Sequence, residues 1–127
     1  MKTFLTKTIF SLCLFTGILS AASSEYQKVE FEKAQSNGEK ILLHFHADWC
    51  PTCKKQEKVL KELDSSGDLK SIKLLVANYD SEKDLKKTLN VNSQSTLVAF
   101  IGTKEVGRSS GVTDAKKLKE FVQEKFK

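Results

Sequence analysis

Apolar residues along most of this chain come in short runs separated by lysine-rich stretches, and the spacing within each run predicts its element. From Glu25 to Asn37, Tyr26, Val29, Phe31 and Ala34 give a mixed pattern: a short extended start passing into a helix, stopped by Asn37-Gly38. Ile41 to His46, with few polar interruptions, suits a buried central strand. Beyond Trp49, Val59, Leu60 and Leu63 recur at helical spacing while Lys54, Glu57, Lys58, Lys61 and Glu62 face water, and Asp64 to Gly67 closes that helix. Ile72 to Tyr79 reads as a second buried strand. Ser81 with Asp84 resembles a capping box opening a helix through Leu89. Thr96 to Ile101 is a third strand, turned by Gly102-Thr103 into an alternating edge segment, Lys104 to Ser109. Thr113 is placed to cap a last helix whose apolar face is Leu118, Phe121, Val122 and Phe126.

Helices alternating with strands, then a hairpin and a final helix, predict an α/β fold with a central mixed β-sheet flanked by helices on both faces. A length of 127 residues suits one domain, and no internal repeat or low-complexity linker divides it. The 39% hydrophobic and 29% charged composition fits a packed chain, and three cysteines are too few for a disulfide-stapled scaffold.

Residues 1–22 carry a different pattern. Lys2 and Lys7 precede an apolar run from Thr8 to Leu19, and Ser20-Ala21-Ala22 supplies the small residues that a signal peptidase reads. The run falls short of a membrane span, and Leu12 before Cys13 does not suit a lipidation site, so a cleaved signal peptide is expected ahead of a domain at residues 23–127. That domain would keep 19 basic and 16 acidic side chains, a net charge of +3, too weak and dispersed to predict nucleic-acid binding. Export, most simply to a bacterial periplasm, with no stable membrane insertion after cleavage, would leave Cys50 and Cys53 in an oxidising compartment.

The informative segment is Ala47-Asp48-Trp49-Cys50-Pro51-Thr52-Cys53. Two cysteines three positions apart at a helix start can close a small disulfide ring with little backbone movement. The first meets unpaired backbone N–H groups and the positive end of the helix dipole, which favour its thiolate and make it the attacking sulfur. The second lies one turn in, shielded, and is placed to resolve a mixed disulfide. Pro51 costs little at an early helical position. The arrangement predicts thiol–disulfide exchange.

With these residues the chain resembles the thioredoxin superfamily over roughly Phe31 to Phe126. The Trp49-Cys50-x-x-Cys53 signature after a hydrophobic strand carries the likeness, together with Val98-Ala99-Phe100-Ile101-Gly102 followed by Lys104-Glu105-Val106. The resemblance implies a thioredoxin-like fold, Cys50 as nucleophile, Cys53 as resolving thiol and Trp49 as a flat apolar contact beside them. It implies protein disulfide or dithiol substrates, a membrane or soluble redox partner, and no cofactor.

Three departures stand out. Where the family has a cis-proline facing the active site, this chain has Ser95 within Gln94-Ser95-Thr96, the loop expected to meet substrate. Either Ser95 keeps a trans bond and reshapes the loop, or the fold stores the strain of a cis bond, about 2.5–4 kcal/mol before a non-proline residue. A hydroxyl there can hydrogen-bond the Cys50 thiolate or a substrate backbone. His44 stands where many members bury an Asp that moves protons for the resolving cysteine. It is either a proton shuttle or a hydrogen-bonded core residue, with His46 on the same strand face. Pro51-Thr52 differs from the Gly-Pro of cytosolic thioredoxins and shares its leading Pro with more oxidising exported members. Potentials across the family range over about 150 mV, or about 7 kcal/mol, so the motif names the reaction and not its direction. A chain without a helical insertion should have a small, shallow substrate groove, which leans toward a reductant or electron carrier.

Two other readings compete. His44, His46, Cys50 and Cys53 make a Cys₂His₂ set of the kind that binds zinc or copper, provided all four donors converge at about 2.0–2.3 Å from one point. A non-catalytic interaction module would keep the disulfide only as a clip, and the loss of proline at Ser95 is its support.

Overall fold

The computed structural model describes residues 23–127. The expected signal peptide and Cys13 lie outside the described residues. Nine elements follow in order: β1 (Ser24–Glu25), α1 (Lys28–Ser36), β2 (Lys40–His46), α2 (Pro51–Ser65), β3 (Ile72–Asn78), α3 (Lys83–Leu89), β4 (Thr96–Ile101), β5 (Lys104–Ser110) and α4 (Ala115–Lys125). The strands form one sheet in the order β1-β3-β2-β4-β5, with β1 and β2 parallel to β3, and β4 antiparallel to both β2 and β5. Among the described residues no helix is long and apolar enough to cross a membrane.

Strand β2 reads as a near-continuous apolar run because both of its faces are covered. Alternate side chains point to opposite sides of a strand. Ile41, Leu43 and Phe45 join Phe31, Ala34, Leu85 and Phe100 beneath α1 and α3. Leu42 points the other way, toward Val59, Leu60 and Leu63 of α2 and Leu118 and Val122 of α4. His44 and His46 share that second face, so a fully buried imidazole lies in line with the α2 core. At the C-terminal end of β2 the chain turns through Ala47-Asp48-Trp49 and enters α2, which places the Cys pair at the end of the sheet's central strand, beside the loop before β4.

Two capping expectations are corrected. Helix α4 is capped by Asp114, whose carboxylate accepts from the Lys117 N–H at 2.9 Å, and not by Thr113. The two candidates are adjacent, and a carboxylate adds favourable charge at the positive helix end. The Ser81–Asp84 capping box does not form: α3 has Glu82 at its N-cap with no side-chain bond. Asn78 organises the turn instead, its side-chain oxygen accepting from the backbone N–H groups of Asp80 and Ser81 at 2.9 and 3.2 Å. Val29, counted above among the apolar positions of α1, is 78% exposed.

Candidate active site

Cys50 is the N-cap of α2. Its backbone is extended (φ −93°, ψ 109°), Pro51 follows in the first turn, and its Sγ accepts from the Cys53 N–H at 3.1 Å. A sulfur therefore stands where a Ser or Asp oxygen usually satisfies the free N–H groups of a helix start. Both thiols are free and both are buried, Cys50 at 2% exposure and Cys53 at 0%. Burial alone would push the Cys50 thiol up. Hydrogen bonds from Cys53, from the Ser95 hydroxyl and from the backbone N–H groups of Cys53 and Thr52 outweigh it and hold Cys50 below the ordinary thiol range. Cys53 moves the opposite way, raised by burial and by its bond to Cys50. The pair is polarised so that the outer sulfur ionises first.

What covers Cys50 is the loop before β4. The bond before Ser95 is trans, and Ser95 adopts a left-handed backbone with φ 62°. Of the alternatives posed by the missing proline, the chain takes the reshaped trans loop. A left-handed backbone is costly for a residue with a Cβ and needs support from its surroundings, which are well defined here. The Ser95 N–H donates to the Phe45 carbonyl at 2.9 Å, and its carbonyl accepts from the Gly111 N–H at 2.9 Å and from Gln56 Nε2 at 3.0 Å. Held in this way, Ser95 Oγ lies 3.2 Å from Cys50 Sγ and 3.1 Å from Cys53 Sγ. Thr96 turns aside, its hydroxyl donating to the Ser93 carbonyl at 2.8 Å, and Gln94 is half-buried, so of these three loop residues it is Ser95 that meets the sulfurs.

Trp49 is 59% exposed beside the pair, its indole N–H donating to Asp80 Oδ2 at 2.8 Å. Asp80 was not among the residues singled out by sequence reasoning. Pro51 is exposed and Thr52 half-buried on the first turn of α2.

Gln56 is the other residue the sequence reading missed. It is fully buried, one turn past Cys53 on the side of α2 that carries Val59 and Leu60. Its amide nitrogen donates to the carbonyls of Ser95 and Val112, at 3.0 and 2.8 Å, so its oxygen is left to accept from His44 Nε2 at 3.1 Å. His44 is thereby fixed with its proton on Nε2, and its Nδ1 is buried without a partner. Burial, then the neighbouring His46, lower its pKa to about 4, against opposing contributions from Gln56 and Glu57. His44 is therefore neutral around pH 7 and hydrogen-bonded within the core, and it meets the sulfurs only through Gln56 and the Ser95 main chain.

Because folding depresses the His44 pKa, the unfolded chain binds a proton there at a pH where the folded chain does not. The stability this contributes is complete above pH 6.5 and is lost as pH falls from there to about 4. The expected loss is about 3 kcal/mol. Urea unfolding across that interval should show it, and a His44→Asn variant should have a visibly shallower pH dependence.

His46 stacks edge-on against His44 with ring centroids 5.6 Å apart. Its Nε2 lies 3.5 Å from Glu57 and its Nδ1 3.7 Å from Asp48. Glu57, expected to face water, is instead half-buried and tied to Lys61 at 2.7 Å. The Cys₂His₂ reading is not supported. Among the described residues no group of three or more His, Cys, Asp or Glu side chains is placed to hold a metal ion. The imidazoles project under α2, one of them engaged by Gln56, while the sulfurs gather around Ser95.

An α/β sheet bearing a Cys-x-x-Cys pair at the head of its second helix defines a redox-active dithiol protein of the thioredoxin-like class. Comparison with known proteins agrees. The thioredoxin family model matches residues 22–124, and the chain belongs to the thioredoxin family. A thioredoxin of Chlamydia trachomatis is 33% identical over 82 residues, covering 65% of this chain and 78% of that protein. The thiol:disulfide interchange protein DsbD of Photorhabdus laumondii is 30% identical over 108 residues, which are 79% of this chain but 19% of that protein. Among solved structures, Trxlp from Edwardsiella tarda superposes with a TM-score of 0.76 at 33% identity, covering 80% of this chain and 98% of that one. The protein is a thiol–disulfide oxidoreductase of this family, whose members act on protein disulfides.

Proposed function

We propose that this is an exported oxidoreductase in which Cys50 forms the mixed disulfide with protein partners and Cys53 resolves it. The observation that carries the reading is the Cys50 sulfur at the α2 start, favoured as a thiolate by the Cys53 N–H and the Ser95 hydroxyl, with the more basic Cys53 directly behind it. The Cys50 thiolate attacks one sulfur of a substrate disulfide and expels the other as a thiolate. Cys53 then attacks Cys50 Sγ, releases the second substrate sulfur, and leaves a Cys50–Cys53 disulfide for a membrane or soluble dithiol partner to reduce. Trp49 offers the exposed apolar face beside the reacting sulfur. The absence of an inserted helical region among the described residues, with Cys50 this deeply covered, suits a reductant or electron carrier that meets extended, accessible disulfides. The charged start, apolar run and small residues of residues 1–22 support delivery to the bacterial periplasm as a signal-cleaved protein.

Two measurements test this. With a disulfide-bonded protein such as insulin, the Cys53→Ser variant should accumulate a mixed disulfide at Cys50, visible on non-reducing gels and by peptide mapping, while wild type turns over. The absence of any Cys50 adduct would defeat the mechanism. Protein recovered from the periplasm of its bacterial host should begin at Ser23, and an intact Met1 on cytoplasmic material would defeat export.

A further inference from the structure

We propose that the Ser95 hydroxyl is a catalytic group serving both sulfurs in turn: it donates its one proton to Cys50 while that sulfur is the anion, then to Cys53 when Cys53 becomes the attacking sulfur. The inference rests on the exchange mechanism proposed above and adds a third participant to it.

The geometry is nearly symmetric. Ser95 Oγ is 3.2 Å from Cys50 Sγ and 3.1 Å from Cys53 Sγ, so rotating the O–H bond alone redirects the proton from one to the other. No heavy atom of Ser95 has to move for this. The residue is buried, its N–H is held by Phe45, and its carbonyl is held by Gly111 and Gln56. Water has little access to compete for the hydroxyl, which makes each of its hydrogen bonds count.

Chemistry decides where the proton points. In the free dithiol the charge resides on Cys50, and a hydrogen bond to an ion is roughly twice as strong as one between neutral groups. Once Cys50 is a disulfide sulfur it has no charge and is a poor acceptor. The growing charge is then on Cys53, whose Sγ faces the Phe45 carbonyl at 3.9 Å, an acceptor that cannot stabilise an anion, so the Ser95 hydroxyl, together with the Ala47 backbone, is what favours charge on that sulfur. The hydroxyl follows the charge. In the resolving step Cys53 gives its proton to a base in solvent, and its electron pair forms the bond to Cys50 Sγ. The bond from Cys50 to the substrate breaks, and the substrate sulfur departs with that electron pair and takes a proton from water. Ser95 keeps its own proton throughout. The substrate disulfide gains two electrons and the Cys pair loses two.

Both stages can be read on the whole mature protein. Iodoacetamide reports the Cys50 thiolate against pH. Methyl methanethiosulfonate places a methylthio group on Cys50 with loss of methanesulfinate, and expulsion of methanethiol then reports Cys53. Ser95→Ala and Ser95→Gly both remove the hydroxyl, and glycine tolerates the left-handed backbone without strain. In both variants both pH midpoints should rise by about one unit or more, and both reactions should slow about three- to tenfold at pH 7. At high pH the variants should match or exceed wild type, because a more basic thiolate is the stronger nucleophile. Unchanged midpoints, a shift at one sulfur alone, or slowing by the same factor at every pH would overturn the proposal, the last by reducing Ser95 to a loop-shaping residue. If wild type itself fails to expel methanethiol, the exchange mechanism has failed, and that outcome is distinct from any difference among the three proteins.

Discussion

Replacing Cys50 by Ser should remove disulfide exchange almost entirely, lowering turnover of a protein disulfide by about a thousandfold or more, to the background of the uncatalysed reaction. The substitution is nearly isosteric. A Ser hydroxyl is a well-suited N-cap, so α2 should keep its start and the fold its stability to within about 1 kcal/mol. What is lost is chemistry: an oxygen cannot form the mixed disulfide, and at neutral pH it does not ionise as the Cys50 thiol does. Cys53 cannot take over. It is fully buried, and its thiol is raised by that burial, so it is both less ionised and out of reach of a protein substrate. Insulin reduction driven by dithiothreitol, measured alongside thermal unfolding, separates these effects. Activity above background in a normally folded Cys50→Ser protein would remove Cys50 from the mechanism.

What could be read from the sequence follows how local each interaction is. Strand β2 was legible because a strand covered on both faces shows as an apolar run, and α2 because the Cys pair and Val59, Leu60 and Leu63 share a helical period. Cys50, Cys53 and Trp49 lie within five consecutive positions, so their proximity follows from the helix itself. The capping errors have the same origin. Thr113 and Asp114 are neighbours of similar capping ability, and Asn78 at the end of β3 takes the turn that Ser81 and Asp84 would have organised between themselves. Ser95 was legible as a departure but not in its consequence, since its left-handed backbone depends on partners at Phe45, Gly111 and Gln56. His44 was open between two roles, and the choice was made by a side chain twelve positions along. Gln56 itself carried one available signal: a polar residue one turn past Cys53 and three positions before Val59, on the stripe that α2 buries.

That signal has the largest structural consequence in the site. Gln56→Leu conserves volume but removes three hydrogen bonds, to His44 Nε2 and to the Ser95 and Val112 carbonyls, the last two 39 and 56 positions away in sequence. The His44 N–H would be left buried and unpaired. The Ser95 carbonyl would keep only Gly111 among these partners, and the part-buried Val112 carbonyl would have to find water. With a cost of about 1–3 kcal/mol for each unsatisfied buried group, the expected loss is about 2–5 kcal/mol, a large share of the 5–15 kcal/mol typical of a domain. Urea unfolding should show a lower midpoint at unchanged slope, the mark of lost stability rather than altered compactness. The same variant should also lose activity under conditions where it remains folded, because the clamp that holds the Ser95 carbonyl is what keeps its hydroxyl between the two sulfurs. A Gln56→Leu protein as stable as wild type would mean that the loop before β4 closes over Cys50 without help from α2, and that the strained backbone at Ser95 is supported by the Phe45 and Gly111 main-chain bonds alone.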